Sequence, residues 1–254
     1  MSSFINAAYS DAVLEISINR PDKKNALTGD MYRALVHELE AAQRNDAVKA
    51  VLLSGAGGAF SAGNDIADFI ADPPVTPDAA VWQFFAALMK LDKPLVAAVD
   101  GLAIGVGTTA LLHCDLVYAS PRSTFALPFV NLGLTPEGVS TLLLPLLIGR
   151  QRSAELLLLG EKISAEKACS LGLINEVVAA DEVLQRARAR AKHIASLPGD
   201  VVRKTKRLLQ SGLDQLVARQ FEAECRALGE AIQGPAAQAA FAKFMSTRKP
   251  ASSA

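Results

Sequence analysis

An α/β core followed by a helical tail is the fold class the sequence predicts, and three observations predict it. Short apolar runs alternate with segments of helical period up to about residue 180. Beyond that point helical patterns alone remain. Two glycine-centred turns, Ser61-Ala62-Gly63-Asn64-Asp65 and Gly105-Val106-Gly107-Thr108-Thr109, each join an apolar strand to a helix.

Taken in order, Val13 to Ile18 alternates, which places Leu14, Ile16 and Ile18 on one face of a strand. A polar loop with Pro21 spans Asn19 to Asn25. Met31, Leu35, Leu39 and Ala42 recur at helical spacing and predict an amphipathic helix near 29–45. The strand at 48–54 leads into the first glycine turn. Pro73, Pro74 and Pro77 mark a surface excursion, and Trp82, Phe85, Leu88 and Met89 form the core stripe of the next helix. A strand at 94–99 leads into the second turn and a helix through Leu112; short strands follow at 115–119 and 125–127. After Gly138 the pattern is mainly helical, with one more apolar stretch at 173–178. No internal repeat recurs at a fixed period.

The chain has 254 residues, half of them hydrophobic and one fifth charged, a composition that buries a full core. Lys plus Arg and Asp plus Glu both count 26, so no net field favours a polyanion. The basic run Arg186, Arg188, Arg190 and Lys192 reads as a solvated helix face, and nucleic acid is not an expected partner. Cys114, Cys169 and Cys225 lack ligand-like spacing and fit reduced thiols. His37, His113 and His193 lie far apart, so no metal site is expected. The longest apolar stretch, Leu142 to Ile148, is too short for a bilayer. Without a targeting pattern at either terminus, a cytoplasmic location is expected.

The glycines let the backbone approach a ligand, and the helices beyond them open with unpaired N–H groups. Two such turns facing each other hold one carbonyl oxygen between two amides, an oxyanion hole. The carboxylate that stands out as a partner is Glu137, between Pro136 and Gly138 among Phe125, Leu127, Phe129, Val130, Leu132, Leu134 and Val139. Desolvation there disfavours its charge and suits it to proton transfer near neutral pH. The competing reading is a helix-start glutamate that interacts with the helix dipole. Gly105-Val106-Gly107-Thr108-Thr109-Ala110 formally matches a dinucleotide fingerprint but lacks the acidic residue on a following strand. Asp65 and Asp115 sit at element boundaries and read as structural acceptors.

With these turns and the Glu137 segment in view, the chain resembles the crotonase, or enoyl-CoA hydratase/isomerase, superfamily over roughly residues 11 to 245. The segments that carry the resemblance are Asn19 to Leu27, Phe60 to Asp65, Lys93 to Gly101, Ile163 to Ala168 and Leu171 to Val178. It implies a crotonase (ClpP-like) spiral of repeated strand–strand–helix units over residues 1–196. It also implies a helical trimerisation region over 197–254, building a homotrimer or dimer of trimers. An acyl-CoA thioester is the implied substrate, with coenzyme A arriving as part of it and no other cofactor. The resemblance puts the thioester oxygen on the amides of Asn64 and Val106, and the CoA end near Lys23, Lys24, Ala26 and Ala62. Phe244 and Lys249, from a neighbouring subunit's tail, are further candidates for that end. Thr109, Leu127, Phe129 and Leu134 are the implied substrate-pocket residues.

Two departures redirect the expected chemistry. Thr109 and Phe129 stand where classical hydratases carry their pair of glutamates, so ordinary hydration loses its base. Gly63-Asn64-Asp65, Pro128-Phe129, Leu132-Gly133 and Pro136-Glu137-Gly138 resemble the single-domain peroxisomal-type 3,2-enoyl-CoA isomerases, in which the matching glutamate is the base. The implied reaction is isomerisation of a 3-enoyl-CoA to the trans-2-enoyl-CoA by Glu137. Hydration, another acyl-CoA reaction, or a non-catalytic binding role are the alternatives.

Overall fold

An antiparallel hairpin, β1 (Ile5–Ser10) and β2 (Val13–Ile18), opens the computed structural model, which describes residues 4–247. β1 is absent from the sequence reading because it is a largely exposed edge strand without an apolar alternation. Helix α1 (Gly29–Arg44) starts at Thr28, whose hydroxyl accepts from the Met31 amide, and it buries the predicted stripe. Three successive segments then contribute a strand to each of two sheets. The pairs are β3 (Ala50–Gly55) with β4 (Ala59–Ser61), β5 (Leu95–Val99) with β6 (Leu102–Ile104), and β7 (Leu116–Ala119) with β8 (Thr124–Ala126). Helices α2 (Ile66–Ala71) and α3 (Ala80–Lys90) separate the first pair from the second, and the short α4 (Val106–Thr109) the second from the third. This is the expected strand–strand–helix spiral. Its units start at Ala50, Leu95 and Leu116, so unequally that no fixed period shows in the sequence.

α5 (Ser140–Ile148), α6 (Arg150–Leu159), β9 (Ile163–Ser164), α7 (Ala165–Leu171), β10 (Glu176–Val177) and α8 (Val183–Ser196) complete the core. α9 (Gly199–Ser211), α10 (Asp214–Gln233) and α11 (Pro235–Thr247) follow. The larger sheet runs β1-β2-β3-β5-β7-β10, parallel except for β1; the smaller runs β4-β6-β8-β9, with only β9 antiparallel.

Both faces of the central strands β3, β5 and β7 are buried, which is why they read as continuous apolar runs. Val51, Leu53, Leu95, Ala97 and Val99 join the main core, which also holds α1 and α3 residues. Ala50, Leu52, Val96 and Ala98 face a second core closed by Val183, Ala187 and Ala191 of α8. The basic run on α8 is not a freely solvated face. Arg186 pairs with Glu176, Arg188 with Glu15 and Lys192 with Asp11, tying the helix to the sheet it covers. Glu15 is the outward residue of the β2 alternation, so one strand pattern serves both the core and this latch.

Candidate active site

The two glycine turns meet because neither has a side chain where they touch. A Cβ on Gly63, at φ +94°, would lie 2.9 Å from the Ile104 carbonyl oxygen, and one on Gly107 would lie 2.7 Å from that of Ser61. Backbone bonds bracket the two expected amides and leave them out. Leu27 donates to the Gly63 carbonyl and the Asp65 amide to Leu27; around the second turn, Gly105 donates to Ala126, and Thr108 and Thr109 to Gly105. The side chain of Val106 packs into the main core. The branched side chain at this position is therefore accommodated in the core.

The first turn is held by a knot of bonds to the segment Arg20 to Asn25. Buried Asn25 donates to the carbonyls of Ala56 and Ala59, and its side-chain oxygen accepts from the Arg20 amide. Ser61 Oγ donates to the Asn25 carbonyl and accepts from the Gly63 amide. Asp65 caps α2 and pairs with Arg20 at 2.8 Å, the structural role expected of it. Asp115 is likewise structural, accepting from the Leu95 amide and from Lys206 Nζ at 2.7 Å each.

Glu137 is fully buried. Thr109 Oγ1 donates to its Oε1 at 3.3 Å, and Oε2 has no partner. Burial, with the nearby Glu224 charge adding to it, pushes the carboxyl up to about 8, against the smaller opposing effect of the Thr109 bond. Helix α5 begins only at Ser140, after two left-handed residues, Gly138 and Val139. A Cβ on Gly138 would lie 2.4 Å from the Phe85 ring, so glycine is required there. Val139 is β-branched at φ 62°, a conformation that costs about 1–3 kcal/mol and persists only when its surroundings impose it.

Three contributors went unrecognised in the sequence. Tyr32 of α1 donates to Asn64 Oδ1 at 2.5 Å, and burial with the Glu137 charge holds its phenol well above the usual range. His113 Nε2 lies 2.8 Å from the Gly138 carbonyl; burial lowers the ring to about 4, so it is neutral and donates from Nε2. Glu224 of α10 accepts from the amides of Val139 and Thr141. Tyr32 carried no signal beyond its place in a predicted helix, and His113 was legible only as an isolated histidine.

The expected CoA residues converge. Lys23, Lys24, Ala26 and Ala62 line one cleft of about 350 Å³ that also reaches Asn64 and Asp65. Phe244 lines it from the chain's own α11, not from a neighbouring subunit, because α11 folds back over α2. Phe241 meets Phe69 edge-on at 6.0 Å, and Gly133 leaves room for Ala236 and Ala237. Lys249 lies outside the described residues. Of the expected substrate-pocket residues, Thr109, Leu127, Phe129 and Leu134 are all buried, with Thr109 against Glu137 and the other three in the main core. A small hollow of about 30 Å³ that also reaches Asn64 is lined by Leu27, Tyr32, Asp68, Phe69, Asp72 and Val81. Among the described residues, no group of three or more His, Cys, Asp or Glu is placed to hold a metal, and no helix is long and apolar enough to cross a membrane.

Residues 8–253 match the family described as Enoyl-CoA hydratase/isomerase. The chain is 35% identical to enoyl-CoA delta isomerase 2 of Homo sapiens over 79% of its own length and 52% of that protein, so it spans about half of this relative. It is 37% identical to 1,2-epoxyphenylacetyl-CoA isomerase of Escherichia coli, over 78% of each chain. Among solved structures, an enoyl-CoA hydratase/isomerase from Pseudoalteromonas atlantica superposes with a TM-score of 0.92 at 38% identity, covering 98% of this chain and 99% of that one.

Proposed function

Because the chain belongs to the enoyl-CoA hydratase/isomerase family, whose fold it shares, we propose that it isomerises 3-enoyl-CoA to trans-2-enoyl-CoA with Glu137 as the single base. The observation that carries this reading is the fully buried carboxylate of Glu137, with one oxygen unpartnered, beside two glycine turns in contact. Ionised Glu137 takes a proton from C2 of the acyl chain, and the C2–H electron pair delocalises into a dienolate. Its charge falls on the thioester oxygen, where the Asn64 and Val106 amides stabilise it. Protonated Glu137 then returns the proton to C4, the double bond settles between C2 and C3, and the carboxylate is regenerated. No water is consumed. Thr109 and Phe129, where a hydratase would carry glutamates, leave none for water activation, and the aromatic and aliphatic surroundings exclude water.

The cleft of Lys23, Lys24, Ala26, Ala62 and Phe244 would take the CoA end, its lysines meeting phosphate charge. α9 leaves Leu208 and Leu209 exposed, which supports assembly of a homotrimer or dimer of trimers through the C-terminal helices. Assay on 3-hexenoyl-CoA and crotonyl-CoA tests the reaction. The conjugated thioester should form from the first with little hydration of the second; hydration without isomerisation would overturn it. A second reading, isomerisation of a more polar acyl-CoA, is favoured by the Tyr32–Asn64 pair beside the hollow and by the E. coli relative's name. Turnover of such a thioester with 3-hexenoyl-CoA inert would select it.

A further inference from the structure

We propose that Glu224 is a positioning residue for Glu137, holding from α10 the strained turn that carries the base. The inference rests on Glu137 being the base.

Helix α5 has no cap of its own, since the residue in front of it is Val139. Helix starts are ordinarily capped by the side chain just before them. Here the acceptor comes from 85 residues further along the chain. Glu224 Oε2 accepts from the Val139 amide at 2.6 Å, and Oε1 accepts from the Thr141 amide at 2.9 Å and from the Thr141 hydroxyl. Gln220, one turn earlier on α10, donates to Thr141 Oγ1 at 2.7 Å and fixes that hydroxyl. On the other side His113 donates to the Gly138 carbonyl. The peptide groups directly after Glu137 are thus gripped from two elements that do not belong to its loop.

This grip explains how a β-branched residue stays left-handed at Val139. It also fixes the carboxylate, which must reach both C2 and C4 of one substrate. Glu224 acts through space as well, because a second buried carboxylate disfavours ionisation of the first. The groups facing this pair are Thr109, Tyr32 of α1, His113 and Cys225 of α10.

Glu224→Gln keeps the size, removes the charge and turns one acceptor into an NH₂ that opposes an N–H. Rates are counted per binding-competent site, titrated calorimetrically with hexanoyl-CoA, so loss of folded protein does not enter. The expected result is a kcat lower by up to about a hundredfold. KM should hold within about twofold, as for a transition-state effect. The acid limb of kcat/KM should move to lower pH, because Glu137 ionises more readily without its neighbour. A purely structural role does not move that limb, so an unmoved limb overturns the proposal whatever the plateau rate. Should this variant not fold, Glu224→Asp keeps the charge and withdraws the acceptors. A kcat down about tenfold then supports the grip, and a wild-type kcat overturns it. Glu137→Gln run in parallel separates the two ideas: if it stays active, the base assignment fails. If it is inactive while Glu224→Gln behaves as wild type, only the positioning role fails.

Discussion

The first glycine turn and the Glu137 turn face one site but are built in opposite ways. The first is tied to the Arg20–Asn25 segment by short polar side chains and one ion pair: Asn25, Ser61 and the Arg20–Asp65 pair satisfy the backbone, and glycine takes the difficult dihedral. The second sets a β-branched residue in a left-handed conformation, leaves a carboxylate oxygen unpartnered, and depends on two ionisable side chains, His113 and Glu224, from two other elements. The first presents a backbone amide, which needs only shape. The second presents an ionisable group, whose energy depends on everything buried around it.

Replacing the ionisable group gives the largest expected effect. Glu137→Gln should lower isomerase kcat by about a hundredfold to ten-thousandfold, measured at saturating 3-hexenoyl-CoA. The same variant should be more stable at alkaline pH. The folded carboxyl titrates near 8, above its unfolded value, so burying its charge costs stability once pH rises past the unfolded pKa, most fully above 8. Thermal melts should show a gain of at least about 2–4 °C at pH 8.5, the shift that 1 kcal/mol brings in a chain of this size, shrinking towards pH 5.

Next come the two ties, which sharpen the contrast through stability. Gly138→Ala drives a methyl to 2.4 Å from Phe85 at φ +71° and should cost about 1–3 kcal/mol in denaturant unfolding, with kcat falling alongside. Asn25→Ala leaves the Ala56 and Ala59 carbonyls without its donors, for about 1–3 kcal/mol. It should raise KM more than it lowers kcat, because Lys24 and Ala26, on either side of Asn25 in the chain, line the lysine cleft. Equal kcat losses in both would remove the distinction between the turns. Thr109→Val is the smallest: losing its bond to Oε1 should shift the acid limb of kcat/KM upward, opposite to Glu224→Gln, with a several-fold loss at neutral pH.

What the sequence made legible follows from the same contrast. Glycines at strand ends, a carboxylate set among aliphatic and aromatic residues, and two-faced apolar strands all leave local marks, so both turns, Glu137 and most of the large sheet could be read. The lysines and alanines of the cleft were found by resemblance, and the fold brings them together around one space. β1 was missed because an exposed edge strand carries no alternation. Tyr32 and Glu224 sit at ordinary positions of amphipathic helices, the one like core, the other like a solvated glutamate. Their roles come from contacts 32 and 85 residues apart in the chain, which no local period encodes. The strain at Val139 was invisible for the same reason, since nothing in Gly138-Val139-Ser140 demands a left-handed valine.

The pH dependence of kcat/KM for the wild-type chain on 3-hexenoyl-CoA tests the single-base account most directly, since it reports the ionisation of the free enzyme. The account predicts a rate that rises with pH and levels off above a midpoint of about 8, with this limb lost in Glu137→Gln. A rate already level from pH 6 upward, or the same limb in Glu137→Gln, would contradict it.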